Sequence, residues 1–212
     1  MAGMGGTPGE HFAAAFPLWA FMMVAMMLPT AVPAIHVFEG FARKRRSAIG
    51  SAPPISLFVL GYVAVWTGYA VGAAGGQVAL SRASLLAPTV RSSSVGLSVA
   101  LLMLAGAFQF TAFKDACLTQ CRSPFPFLLA NWRDGNWSAF VLGARHGSYC
   151  VGCCWAVMGL MFVVGAMNLV WMGALSAFML VEKIAPARWR LHRGAGVVFL
   201  LWGIVLATRL IH

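Results

Sequence analysis

The stretch SYCVGCCWAVMGLMFVVGA, residues 148–166, carries no charged side chain and is apolar along most of its length. An apolar run of about twenty residues is long enough for an α-helix to cross the hydrocarbon core of a bilayer. Such runs recur along the 212-residue chain, in which 60% of the residues are hydrophobic and only 9% are charged. The sequence therefore predicts an all-α, polytopic membrane helix bundle.

About six transmembrane helices are predicted, within a single domain that covers residues 1–212. Their approximate bounds are 16–38, 55–80, 95–113, 148–166, 168–184 and 194–211. The segment 114–137, which mixes charge with the apolar run FPFLL, is predicted to be the one sizeable loop of distinct character. Gly68 and Gly72 in the second span form a GxxxG pair, which predicts that another helix backbone approaches closely there.

The formal net charge of +10 has a simple topological explanation. Most basic residues fall in segments 43–46, 114–145 and 183–193, which follow the first, third and fifth predicted spans. The positive-inside bias places these segments in the cytoplasm and both termini outside. The charge then reports orientation and contact with anionic membrane lipids, and no nucleic-acid partner is expected.

All five cysteines lie in two short groups. Cys117 and Cys121 follow the third span as CLTQC, whereas Cys150, Cys153 and Cys154 open the fourth span. Positions three or four apart share a helix face, so each group presents paired sulfurs. Both groups lie at the cytoplasmic side and are expected to converge. Their depths match only if the segment after Cys121 folds inward or the fourth helix begins earlier than predicted.

Three explanations of the cysteines stay open. In the first, they are small packing residues. In the second, they form a disulfide relay coupled to quinone. Such a relay would require the reverse topology, because cytoplasmic thiols are kept reduced. Alternatively, they bind a soft metal, for which thiolates are natural ligands, with Cu(I) as first choice and zinc as second. The metal explanation is favoured, because a bound cation cancels thiolate charge close to lipid.

Several other residues are possible auxiliary ligands. Met22, Met26 and Met27 lie in MMVAMMLP, and Met158 continues the helix stripe of Cys150. Thioethers along such a stripe are either adaptable packing or a path for stepwise movement of Cu(I).

Two polar residues at predicted helix ends admit similar alternatives. His146, four residues before Cys150, is either a nitrogen ligand or an interfacial polar residue. Glu182 and its neighbour Lys183 are expected to neutralise each other at the end of the fifth helix. The alternative for Glu182 is an auxiliary carboxylate close to the cysteines.

Four separated motifs together carry a family resemblance: MMVAMMLP, GAFQFTAFKDACLTQCRSP, CVGCCWAVMGLMFVVGAMNLVWM and EKIAP. In this order, between Met22 and Pro186, the sequence resembles a bacterial family of predicted metal-binding integral membrane proteins, catalogued as a domain of unknown function. The resemblance implies a multi-pass protein of the bacterial cytoplasmic (inner) membrane that binds metal. By motif it points to Met22, Met26, Met27, Lys114, the five cysteines, Asn168, Glu182 and Lys183.

The sequence-based hypothesis is an integral membrane protein that binds a soft metal, foremost copper, through its clustered cysteines. Its task would be metal acquisition, transfer or delivery to a membrane enzyme, with that enzyme or a metal-handling protein as partner. The alternatives are a quinone-coupled thiol–disulfide oxidoreductase and a non-catalytic subunit of a larger membrane complex. No nucleophile, base and orienting group can be assembled from the motifs, so catalysis is not expected.

Overall fold

The computed structural model describes residues 7–49, 53–87, 90–166 and 168–211. Within these ranges the regular secondary structure is helical, apart from one isolated bridge between Leu86 and Ser92, and it includes a short 3-10 helix at Ala187–Trp189. Turns and short irregular segments join the helices. The α-helices are α1 Pro8–Ile49, α2 Ile55–Arg82, α3 Val95–Phe108, α4 Ala112–Arg122, α5 Pro124–Asn131, α6 Asn136–Gly159, α7 Met161–Val164, α8 Leu169–Ile184 and α9 Leu191–Ile211. The all-α class predicted from the sequence is confirmed.

In the described part of the chain, four helical segments are long and apolar enough to cross a membrane. They are Pro8–Lys44, Ile55–Arg82, Asn136–Val164 and Ala187–Arg209. α3 and α4 would provide a fifth span if counted together, although they are bent by 66°. The 16 residues of α8 extend about 24 Å, less than the roughly 30 Å of a bilayer core. Six spans stay a prediction, as does the outside location of the termini, whose outermost residues lie outside the described ranges.

The elements that carry the cysteines differ most from the predicted bounds. α3 ends at Phe108, and Thr111 starts a new helix because its side chain accepts a hydrogen bond from the Lys114 N–H at 3.2 Å, as N-cap residues do. The predicted loop 114–137 is therefore largely helical, as α4 and α5. α6 begins at Asn136, well before the predicted start at residue 148. This early start meets one of the two conditions for the cysteine groups to converge.

α2 and α6 touch each other through two glycines. A Cβ atom on Gly61 would overlap the Phe140 carbonyl oxygen, and a Cβ atom on Gly143 would overlap the Phe58 carbonyl oxygen. The two contacts are reciprocal, since each helix supplies one glycine and one carbonyl. Such close approach allows Cα–H···O contacts between the backbones. It also fixes the register in which α2 faces the cysteines of α6.

The expectation for Gly68 and Gly72 is wrong within the described residues. A Cβ atom built on either glycine would have no neighbouring atom within 4 Å. The GxxxG spacing is present, but this face of α2 points away from the helices that pack on it. The close approach instead uses Gly61, nearly two turns after the start of α2 at Ile55.

Candidate metal centre

Four cysteine side chains meet between α4 and α6, and all four are buried. Cys153 Sγ lies 3.3 Å from Cys154 Sγ and 4.0 Å from Cys121 Sγ. Cys150 lies one turn before Cys153 and Cys154 on α6, and its backbone carbonyl oxygen accepts a hydrogen bond from Cys153 Sγ at 3.2 Å. All four are free thiols. We call Cys121, Cys150, Cys153 and Cys154 the sulfur cluster, and the structure thus brings cysteines of both sequence groups together.

The fifth cysteine, Cys117, lies one turn before Cys121 on α4 and is also a free, buried thiol. Its sulfur rests against the backbone of α6, where a Cβ atom on Gly152 would lie only 2.8 Å from Cys117 Sγ. Glycine at this position therefore lets α4 lie close to α6. A role of Cys117 as a metal ligand stays a prediction.

Cys150 is the member of the sulfur cluster with polar partners from other helices. Lys183 Nζ on α8 donates hydrogen bonds to Cys150 Sγ at 2.9 Å and to Thr30 Oγ1 at 2.7 Å. The Tyr62 hydroxyl lies 3.1 Å from Cys150 Sγ and donates to the Met27 carbonyl at 2.9 Å. Helices α1, α2, α6 and α8 thus meet at one polar junction around a single sulfur atom.

The Lys183 ammonium group gives this junction its charge. Its Nζ atom lies 2.9 Å from Cys150 Sγ, and the Tyr62 hydroxyl contacts the same sulfur atom. A positive charge beside a thiol favours the thiolate, which is the form that binds metals. Cys150, in direct contact with Lys183, is therefore best placed to supply a charged sulfur ligand.

The predicted auxiliary methionines lie in the same apolar core as the sulfur cluster. Met22, Met26 and Met27 on α1 and Met158 on α6 are buried in the same apolar core cluster as the cysteines. Packing accounts for these positions, because methionine adapts to irregular spaces in a core. Their use as thioether ligands for passing Cu(I) stays a prediction.

His146 lies one turn before Cys150 and is buried among aromatic rings. Its ring centroid is 6.1 Å from that of Phe58, 6.0 Å from that of Tyr62 and 5.8 Å from that of Phe127. The Nδ1 atom of His146 is buried without a hydrogen-bond partner. An imidazole nitrogen without a hydrogen-bond partner can still donate a proton or a lone pair. The role of His146 as an auxiliary metal ligand stays a prediction.

Glu182 and Lys183 do not neutralise each other, so that expectation is wrong. Glu182 Oε2 accepts a hydrogen bond from Lys114 Nζ at 2.9 Å, and both side chains are fully buried. The Glu182 carbonyl oxygen accepts from Arg122 Nε at 2.9 Å. Neighbouring positions on a helix are rotated by about 100°, so the two side chains serve different contacts. Glu182 ties α8 to α4, and its role as an auxiliary metal ligand stays a prediction.

Sequence reasoning missed two residues of the polar junction, Thr30 and Tyr62. Both are buried hydroxyl groups inside long apolar helices. Their polarity could have identified them in the sequence, because a hydroxyl group away from water needs a hydrogen-bond partner. The contact between Lys183 and Cys150 was also missed, although Lys183 itself had been named from the motif EKIAP.

The donor atoms of the sulfur cluster suit a soft ion of low coordination number. Among the residues that the structure describes, no group of three or more His, Cys, Asp or Glu side chains is arranged to hold a metal ion. Metal–thiolate bonds are about 2.3 Å long, so two sulfurs that share one ion lie no more than about 4.6 Å apart. The 3.3 and 4.0 Å separations meet this limit for pairs. Paired thiolates fit Cu(I), whereas a structural zinc ion needs four ligands.

The fold and the site together define an all-helical protein with long apolar helices and a buried, sulfur-rich centre. The chain belongs to the PpoB2 family, described as a copper chaperone, whose family model matches residues 16–206. A copper-related function is thereby shown at the level of the family, and the metal-related part of the sequence resemblance is confirmed. No curated protein and no solved structure matches the chain.

Proposed function

We propose that this protein is a membrane-embedded copper chaperone that holds Cu(I) in the sulfur cluster and passes it to a protein partner. The observation that carries the proposal is the contact between cysteines of two different helices, with Cys121 Sγ 4.0 Å from Cys153 Sγ and Cys154 Sγ 3.3 Å from Cys153 Sγ. Thiolates and thioethers are the protein ligands that select Cu(I). The copper chaperone family to which the chain belongs supports copper as the metal.

The proposed location is the bacterial inner membrane. Large apolar side chains on the outer faces of the helices support it: Phe21, Leu169 and Val170 are each more than three-quarters exposed. Isolated apolar residues are ordinary on a protein surface, but large exposed apolar areas mark contact with lipid or another protein. The copper would be acquired from, or delivered to, a membrane enzyme or a second metal-handling protein.

Copper binding by the purified protein tests the proposal. Wild-type protein loaded with Cu(I) without oxygen and then desalted is expected to retain copper, measured by elemental analysis. The double variant Cys150→Ser, Cys153→Ser should retain no more copper than unloaded protein, because it lacks two sulfurs of the cluster. Cys117→Ser removes a buried thiol outside the sulfur cluster, and its copper content shows whether Cys117 also contributes to binding. Equal copper in the double variant and the wild type would remove the proposal.

Thiol counting on the same samples separates the proposed function from its alternatives. Cysteines that label equally before and after reduction, in denatured protein taken directly from cells, are not in disulfides and count against the thiol–disulfide oxidoreductase. A bridge between Cys121 and an α6 cysteine favours it. Labelling before and after reduction distinguishes the two. A partner that copurifies in fixed proportion, with no copper bound to this chain, would favour a non-catalytic subunit.

A further inference from the structure

Lys183 is a buried lysine that contacts a cysteine instead of a carboxylate. Its Nζ atom donates to Cys150 Sγ at 2.9 Å and to Thr30 Oγ1 at 2.7 Å. Glu182, the carboxylate next to it in the sequence, is paired with Lys114. None of the ion pairs formed by the described residues includes Lys183. The positive charge of Lys183 therefore acts chiefly on the sulfur cluster.

Because Lys183 carries a positive charge, the net charge of the occupied site depends on the charge of the bound metal ion. A net charge away from water is costly unless a partner compensates it. Cu(I) held by two thiolates has a net charge of −1, and the ammonium group of Lys183 brings the sum to zero. A divalent ion held by two thiolates is already neutral, so the ammonium group leaves one uncompensated positive charge.

A third thiolate would restore neutrality for a divalent ion. Such a site is not ready in this fold, because no group of three or more His, Cys, Asp or Glu side chains in the described ranges is arranged to hold a metal. The sulfur separations of 3.3 and 4.0 Å instead offer pairs of ligands. With pairs of ligands, the charge balance favours the monovalent ion.

We propose that the positive charge of Lys183 sets the metal preference of the sulfur cluster, favouring Cu(I) over divalent ions such as Zn(II). The inference rests on the proposed function and adds the residue that decides which ion is accepted. An ammonium group has no lone pair and cannot bind a metal itself. Lys183 is thus a specificity residue that acts through its charge and through its contact with Cys150.

Affinity measurements for both ions test this inference. Cu(I) and Zn(II) affinities are measured without oxygen and at one fixed pH, by competition with coloured chelators, for the full-length wild type, Lys183→Gln and Lys183→Arg. Glutamine keeps a hydrogen-bond donor and removes the charge, whereas arginine keeps the charge. In Lys183→Gln the ratio of Cu(I) to Zn(II) affinity should fall by roughly 10- to 100-fold, the usual effect of losing a group that supports metal ligands. In Lys183→Arg the ratio should stay close to that of the wild type.

The direction of each change separates a charge effect from general damage. Loss of charge should weaken Cu(I) binding and strengthen Zn(II) binding, whereas a disturbed fold weakens both. An unchanged ratio, or a parallel loss of both metals in Lys183→Gln, would overturn the inference and leave the proposed function standing. A wild type that binds no Cu(I) would overturn the proposed function instead. If Lys183→Gln does not fold, Lys183→Leu, which also removes the charge, replaces it in the comparison with the wild type and Lys183→Arg.

Discussion

Gly143→Ala is expected to lower the free energy of unfolding by about 3 kcal/mol or more, at the upper end of what overpacking costs in a core. The added methyl group would overlap the Phe58 carbonyl oxygen of α2, and a backbone atom cannot turn aside as a side chain can. Because Gly61 faces the Phe140 carbonyl oxygen in the same way, separating the helices breaks both contacts. Tyr62 follows Gly61 directly, so its contact with Cys150 should weaken too.

Thermal unfolding in detergent, followed by a dye that fluoresces on reaction with thiols, measures this effect. All five cysteines are buried in the native fold, so the dye reports loss of tertiary structure. Gly72→Ala is the matched control on α2, where the new Cβ atom meets no atom within 4 Å. It should be neutral or stabilising by up to about 1 kcal/mol, because alanine favours a helix more than glycine does. Equal melting of the two variants would contradict the close contact between α2 and α6.

Breaking the ion pair between Lys114 and Glu182 should have an effect of similar size. Both side chains are fully buried, with Lys114 Nζ 2.9 Å from Glu182 Oε2. Removing one member leaves an unpaired charge away from water, which typically costs about 3–5 kcal/mol. Lys114→Met is therefore expected to melt far below the wild type and to retain less copper, since the pair holds α4 and its Cys121 against the bundle.

The double variant Lys114→Met, Glu182→Met should recover most of the lost stability, because no uncompensated charge remains. Arg43→Met is the control for removing a cation from an ion pair. Its partner is Glu39, but the Arg43 side chain is 77% exposed, and exposed pairs contribute about 1 kcal/mol or less. If Lys114→Met is no more harmful than Arg43→Met, the Lys114–Glu182 pair does not hold α4 in place.

That the two cysteine groups meet was predicted, but on the assumption that they lie at the adjoining ends of two consecutive helices. In the fold α5 separates α4 from α6, and Cys150 lies well inside α6, which begins at Asn136. The groups meet because α4 packs along α6, so that Cys121 reaches Cys153.

The start of α6 was not predictable from polarity, since Arg145 and His146 indicate a loop. In the fold Arg145 reaches outward to Asn131 Oδ1 at 2.8 Å, whereas His146 is enclosed by aromatic rings. Both residues are thereby accommodated within a helix.

Contacts between distant helices were the least predictable part of the site. Glu182 and Lys183 are neighbours in the sequence, which made mutual pairing the simplest expectation. Their actual partners, Lys114 and Cys150, are fixed by how α4 and α6 pack against α8. The close approach of α2 and α6 likewise uses one glycine from each helix, so no spacing within either helix reveals it.

The burial of the sulfur cluster would limit the rate at which bound copper is transferred to a partner. Cys150, Cys153 and Cys154 are all fully shielded from solvent, so a competing ligand reaches them only when neighbouring helices part locally. Dilution alone should then release copper slowly. A receiving protein that loosens the packing around α4 would accelerate ligand exchange, which would restrict delivery to the moment of docking.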